Sequence, residues 1–208
     1  MKRILFQGDS ITDVGRHREL DAFMGAGYAA MVSGKLGFDM PGCYKFLNRG
    51  ISGNRVCDLL ARVKKDMINL RPDVISILIG VNDVWHEIQG ENGVSAELFE
   101  KLYSIMIEEL MTALPDLRIM IMEPFVLEGN ATASAWDKFY SEVSLRAEAS
   151  RRIAERYGLD FIPLQNRFNE VCMLAPASYW LYDGVHPSSA GHNLIANAWL
   201  EVFHSKSE

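Results

Sequence analysis

Four short polar segments carry the residue types that acyl-transfer chemistry needs. GDSIT (Gly8 to Thr12) offers a serine hydroxyl at Ser10. DGVHP (Asp183 to Pro187) sets Asp183 three residues before His186. A carboxylate that accepts a hydrogen bond from one imidazole nitrogen fixes the tautomer and leaves the other nitrogen free as a base. Such a base can take a proton from a serine hydroxyl, which then attacks an acyl carbon. The oxyanion formed needs donors. The Ser10 N–H lies at a strand-to-helix turn, where N–H groups lack partners. NRGISGN (Asn48 to Asn54) supplies the Gly53 N–H, and GVND (Gly80 to Asp83) supplies the Asn82 amide. Aspartate at position 82 would repel the oxyanion, so an amide there suits the role.

Each segment also has a plainer reading. Asp, Ser, Gly and Pro are ordinary turn residues. Gly50 and Gly53 can serve only a tight bend, and Asn82-Asp83 can cap the helix that follows. The chemical reading gains when the four segments share one place in a fold.

The elements that would position them alternate between strand and helix. Strands are expected at Arg3 to Gln7, Lys45 to Arg49, Asp73 to Gly80, Arg118 to Met122 and Leu159 to Leu164. The third, DVISILIG, is continuously apolar and β-branched, as expected of a central strand buried on both faces. Val56, Leu59, Leu60, Val63 and Met67 draw one helical stripe, with Arg62, Lys64, Lys65 and Asp66 turned outward. Ser95 is placed to cap a helix through Leu114, with Glu97 and Lys101 paired at i, i+4. Ser134 and Asp137 resemble a capping box opening a helix to about Tyr157. The last helix carries Leu194, Ile195, Ala198, Trp199 and Val202 on one side. This alternation predicts an α/β fold: a three-layer α/β/α sandwich with a five-stranded parallel sheet, flavodoxin-like in order 2-1-3-4-5. In such a sheet ligands sit at the carboxyl ends of the strands. The four polar segments would all meet on that edge.

These blocks resemble the SGNH, or GDSL, hydrolase family. The markers of that family match Ser10, Gly53, Asn82 and His186, with Asp183 completing a triad; the first block reads GDSIT in place of GDSL. The resemblance implies metal-free, cofactor-free ester hydrolysis by one domain spanning residues 1–208. GDSITDVGR, NRGISGNRVCDLLAR, IGVNDVW and DGVHPSSAGH are similar to the intracellular acetylxylan esterases of the family. That likeness implies deacetylation of xylo-oligosaccharides and homo-oligomers. Alternatives are a lipase, lysophospholipase or thioesterase acting on another acyl substrate, and a noncatalytic carbohydrate-binding module.

Asp9, Arg55, Trp85 and Tyr182 are candidates for substrate contact. Trp85 suits stacking on a sugar ring or packing at the rim. Arg55 suits substrate contact, a pair with Asp13, or a solvated helix start. Tyr182 and Trp180 flank the Asp183 loop and are open to a packing role.

The remaining features bound the function. The 208 residues are 49% hydrophobic and 23% charged, which suits one compact domain burying about 70% of its unfolded surface. A net charge of −6 and the lack of a basic cluster argue against nucleic acid and anionic membrane as partners. The N-terminus, MKRILFQGDS, has too short an apolar run for a signal peptide, so a cytoplasmic location is expected. Cys43, Cys57 and Cys172 read as reduced, mostly buried thiols. GAGYAA (Gly25 to Ala30) fits a dinucleotide fingerprint but does not follow a strand; small residues packing a helix on the sheet are the expectation. Ser52 in GISG is expected to be loop structure. His17, His86, His192 and His204 show no metal-ligand spacing, although His86 and His192 are within possible reach of the site.

Overall fold

The computed structural model describes residues 1–205. Five strands form one sheet: β1 (Lys2–Gly8), β2 (Tyr44–Asn48), β3 (Val74–Leu78), β4 (Arg118–Met122) and β5 (Asp160–Ile162). All pairings are parallel and the order is β2-β1-β3-β4-β5. This is the expected doubly wound arrangement: β4 has the expected ends, β1 is one residue longer at each end, β2 is shifted by one, and β3 and β5 are trimmed by a residue or two. The register aligns Phe6 with Asn48, Gly8 with Leu78, and Leu78 with Met122. The segments after β1, β2 and β3 therefore leave the sheet side by side.

Ten helices are described: α1 (Ser10–Asp13), α2 (Tyr28–Asp39), α3 (Val56–Ala61), α4 (Val63–Asp66), α5 (Val81–Gly90), α6 (Ala96–Ala113), α7 (Trp136–Tyr157), α8 (Gln165–Val171), α9 (Ala177–Trp180) and α10 (Ser189–His204). Successive strand residues point to opposite faces. Ile4 and Phe6 enter a core with Tyr28 and Val32 of α2 and Ile195 and Trp199 of α10. Leu5, Ile75 and Ile77 enter the other with Val56 and Leu59 of α3, Phe99 and Tyr103 of α6, and Ile153 of α7. Each fully buried aliphatic or aromatic side chain of this kind contributes about 1.5–3 kcal/mol. Trp199 anchors the first core, stacking on Phe203 at 4.8 Å.

Four local expectations are corrected. The stripe from Val56 to Met67 is two helices, with a break at Arg62, where φ is −114° and ψ is 12°. Arg62 does not turn outward. Its guanidinium donates to Gln7 Oε1 (2.8 Å), Arg49 O (2.9 Å), Asn54 Oδ1 (2.9 Å) and Asp66 Oδ2 (3.0 Å). A planar donor fork reaching two strand ends and a loop outweighs solvation of one arginine. The capping box at Ser134 and Asp137 does not form: α7 starts after a 3₁₀ turn (Ala133–Ala135), and Ala135 stands at its N-cap. Ser95 does cap α6, accepting from the Leu98 N–H, and Lys101 pairs with Glu97 at 2.6 Å. Cys43 is exposed and Cys57 and Cys172 are half-buried, so the thiols are less enclosed than expected. Among the described residues no helix is long and apolar enough to cross a membrane.

Candidate active site

β1 ends at Gly8, whose backbone lies so close to β3 that a Cβ would come within 2.3 Å of Leu78 O. Only glycine lets the chain turn there. Asp9 then caps α1, its Oδ1 accepting the Ile11 N–H at 3.0 Å. Ser10 is the first residue of this short helix. Its N–H has no intrahelical acceptor, because the first N–H groups of any helix lack one.

Ser10 Oγ lies 2.9 Å from His186 Nε2, although the two residues are 176 apart in sequence. His186 Nδ1 lies 2.7 Å from Asp183 Oδ2. Asp183 Oδ1 accepts the backbone N–H groups of Val185 (2.9 Å) and His186 (2.8 Å). Burial would raise the Asp183 pKa, but these N–H groups and the imidazole together hold it below its ordinary value. An ionised carboxylate can only accept. The ring hydrogen therefore belongs on Nδ1, and Nε2 is left to accept from the Ser10 hydroxyl.

The Asp183 loop is fixed from outside the motif. Leu127 N–H donates to Gly184 O and Ala131 N–H to Asp183 O, both at 2.9 Å. The buried Thr132 hydroxyl donates to Leu127 O at 2.9 Å. Gly184 has φ +99°, and a Cβ there would press on Leu127 O at 2.6 Å. Nothing in the sequence pattern marks Leu127, Gly129 or Thr132.

In the loop after β2, Gly53 has φ +81° and open space where a side chain would stand. Asn82 is the second residue of α5. Its Nδ2 donates to Asn54 O at 3.1 Å, which orients the amide and leaves its second N–H for another acceptor. Asp83 does not cap α5, as the simpler reading expects, because Gly80 is the N-cap. Instead its buried carboxylate accepts the Val56 N–H at 3.1 and 3.3 Å. Burial raises its pKa to about 8, against the Val56 N–H and Arg146, which lower it.

Further residues hold the Gly53 loop, and the sequence motifs miss their roles. Asp13 Oδ2 accepts Ser52 N–H (3.0 Å), Ser52 Oγ (3.2 Å) and Arg18 (2.6 Å). Asn48 Nδ2 donates to Thr12 O (2.6 Å) and Met24 O (2.8 Å), and its Oδ1 accepts the Gly50 N–H (2.9 Å). Ser52 is loop structure, as expected.

The four candidate substrate contacts separate. Tyr182 is 59% exposed and stacks on the His186 ring at 5.7 Å and 15°. Trp85 is half-buried, 5.7 Å from the same ring and edge-on to Phe139 at 6.0 Å. Arg55 is turned away from Asp13: it bonds Asp58 and, at 2.6 Å, Asn92 O, while Asp13 takes Arg18. A carboxylate three residues on and the carbonyl of Asn92, 37 residues away, take the guanidinium between them. Asp9 is 1% exposed and beyond the reach of substrate. His192 is buried; its Nδ1 accepts the Tyr28 N–H at 3.3 Å, and burial followed by the nearby His186 lowers its pKa to about 4. It serves as a neutral acceptor at the start of α2. Gly27, in the GAGYAA segment, packs there: a Cβ would lie 2.9 Å from His192 Cε1. His86 is half-buried. Among the described residues no group of three or more His, Cys, Asp or Glu is arranged to hold a metal ion.

A family model described as GDSL-like Lipase/Acylhydrolase matches residues 6–194. An acetylxylan esterase of Geobacillus stearothermophilus is 35% identical over 206 residues, covering 96% of this chain and 92% of its own. Its crystal structure superposes with a TM-score of 0.87, covering 97% of this chain and 93% of that one. Crystal structures described as catalytic mutants of that enzyme replace one serine, one aspartate and one histidine. A Parabacteroides merdae chain, described as GDSL-like, superposes with a TM-score of 0.92 at 38% identity, covering 99% and 96% of the two chains.

Proposed function

Since this chain belongs to the GDSL-like lipase/acylhydrolase family and is a carboxylic ester hydrolase, we propose that it is a serine esterase in which Ser10, His186 and Asp183 form the catalytic triad. The observation that carries this reading is the 2.9 Å contact from Ser10 Oγ to His186 Nε2, continued at 2.7 Å to Asp183. Ser10 Oγ attacks the ester carbon while Nε2 takes its proton. The Ser10 N–H, the Gly53 N–H and the Asn82 amide receive the oxyanion. Collapse expels the alcohol, which leaves with the proton from His186, and an acyl group stays on Ser10. Water repeats the cycle, giving up its proton to His186, and releases the acid. Residues 1–208 act as one hydrolase domain in this reading.

The substrate we infer is an acetylated carbohydrate, such as a xylo-oligosaccharide. The acetylxylan esterase relative supports this choice, as do Tyr182 and Trp85, whose rings flank His186 at the mouth of the site. Aromatic faces beside a polar centre suit sugar rings. A longer acyl ester is the second reading, favoured by the exposed Met173, Leu174 and Tyr179 on the segment leading to the Asp183 loop.

Aryl acetate and acetylated xylo-oligosaccharides, set against longer acyl esters and read by released acid, test both levels. Ser10→Ala should abolish all turnover while the protein keeps its melting temperature. Full activity in that variant refutes the triad. Faster release from octanoyl than from acetyl esters refutes the sugar assignment alone.

A further inference from the structure

Asp9 is the one group beside Ser10 whose chemistry the triad leaves unused. It is 1% exposed. Its Oδ1 accepts the Ile11 N–H, but its Oδ2 is buried without a hydrogen-bond partner. Ile11, Leu78, Ile79, Val81, Pro124 and Phe125 line the space beside it. Asparagine or serine would cap the same turn without a charge to desolvate. Ser10, the next residue along the chain, holds its Oγ 2.9 Å from His186 Nε2, so the buried carboxyl stands one residue from the imidazole's contact, and attraction to His186 favours its ionised form.

We propose that Asp9 is a positioning residue that acts through His186: besides capping the turn that presents Ser10, its buried carboxylate is a second counter-charge for the imidazolium formed when Ser10 gives up its proton. The inference rests on the triad reading. The imidazolium exists only after proton transfer, so a fixed negative charge behind it lowers the transition state more than the ground state. Asp9 is buried, so its charge is weakly screened by solvent. Asp183 steadies the same ring by direct contact, and Asp9 acts through space from under the nucleophile.

Other titratable groups bear on the same charge. Asp83 of α5 and Asp9 repel each other, and Asp83 is in turn attracted by Arg146 of α7. Tyr28 of α2 also senses Asp9, while its hydroxyl is 3.0 Å from Thr12 Oγ1. His192 of α10 lies near His186. Burial is the largest influence on Asp9 and raises its pKa to about 7, although the Ile11 N–H and His186 lower it. The carboxyl therefore titrates where the enzyme is assayed. Two groups, His186 and Asp9, must lose protons for full activity, so the acid limb of kcat/KM should be steeper than one proton allows.

The test uses the full chain, p-nitrophenyl acetate and the variants Asp9→Asn and Asp9→Ala from pH 5 to pH 9, with thermal melts. Asp9→Asn keeps a capping side chain and removes the charge. We expect its kcat to fall about tenfold or more at pH 8 with KM little changed, and its acid limb to relax to a single proton. Asp9→Ala should lose the cap as well and melt lower. Wild-type kcat and an unchanged limb in a folded Asp9→Asn overturn the inference. If neither variant folds, the wild-type profile decides alone, and a one-proton limb overturns it. Ser10→Ala separates the two levels: inactive Ser10→Ala with unaffected Asp9→Asn sinks only this inference, whereas active Ser10→Ala sinks the triad.

Discussion

Replacing Asp183 by asparagine should leave the site standing and nearly stop it. The side chain has two tasks on two oxygens. Oδ1 accepts the Val185 and His186 N–H groups at 2.9 and 2.8 Å, and an asparagine carbonyl can keep both. Oδ2 accepts from His186 Nδ1 at 2.7 Å. With the carbonyl committed to the backbone, the asparagine NH₂ faces Nδ1. Two donors cannot meet, so the ring moves its hydrogen to Nε2. Nε2 then donates toward Ser10 Oγ across the same 2.9 Å and can no longer act as a base. The imidazolium also loses its adjacent negative charge. Together these effects should lower kcat by about 10³–10⁴-fold, or roughly 4–5.5 kcal/mol of barrier. The fold should lose much less. One charge-assisted bond becomes a neutral contact, a cost of about 0.5–1.5 kcal/mol, equivalent to roughly 1–6 °C in Tm for a chain of this length. That cost depends on pH. The Asp183 pKa is lowered in the folded protein, so its stabilisation is present above the unfolded carboxyl pKa and is lost as pH falls through the folded value. The melting difference between wild type and Asp183→Asn should therefore shrink below about pH 4. Steady-state kinetics on p-nitrophenyl acetate with melts at pH 4 and pH 7 measure both effects. A folded Asp183→Asn retaining a tenth of wild-type kcat would refute the tautomer argument.

Further outcomes follow from other contacts. Asn82→Ala removes one of the proposed oxyanion donors, so kcat should fall about 10²–10³-fold with little change in KM; a loss confined to KM would place the amide on the ground state. Arg62→Lys keeps the charge but gives up the fork that joins Gln7, Arg49 and Asn54. It should cost about 2–3 kcal/mol in chemical denaturation, and wild-type stability would show that solvent replaces those bonds freely. Asp83 has its pKa raised to about 8, so the folded state holds a proton that the unfolded chain has released between about pH 4 and pH 8. Wild-type stability then falls as pH rises through that window. Asp83→Asn keeps an acceptor for the Val56 N–H and removes this slope; parallel Tm profiles for the two proteins from pH 4.5 to pH 8 would contradict the argument.

The sequence alone determined the layers and the edge on which the site sits. An unbroken, short, β-branched run such as VISILI, bounded by Asp and Gly, favours a strand covered on both faces. Strands alternating with amphipathic helices leave few right-handed topologies. Ser10, Gly53, Asn82, Asp183 and His186 stand out because each follows a strand or precedes a helix in a segment of glycine and short polar residues. Those facts are local, and periodicity records them.

Tertiary structure decided which donor meets which acceptor. Arg62 reads as a solvent-facing helix residue until the ends of β1 and β2 present their acceptors to it. Arg55 is the candidate partner for Asp13 in sequence, and only the path of the loop gives the carboxylate to Arg18. Leu127 and Ala131 clamp the Asp183 loop through backbone N–H groups, and Thr132 ties their turn together, without any motif to announce them. Burial of Asp9 and Asp83 is likewise a property of the packed molecule, and it is what moves their protons into the physiological range. Hydrophobic pattern is written along the chain because it repeats with the backbone. The choice of hydrogen-bond partner is not, because it depends on distances that exist only once remote segments have been brought together.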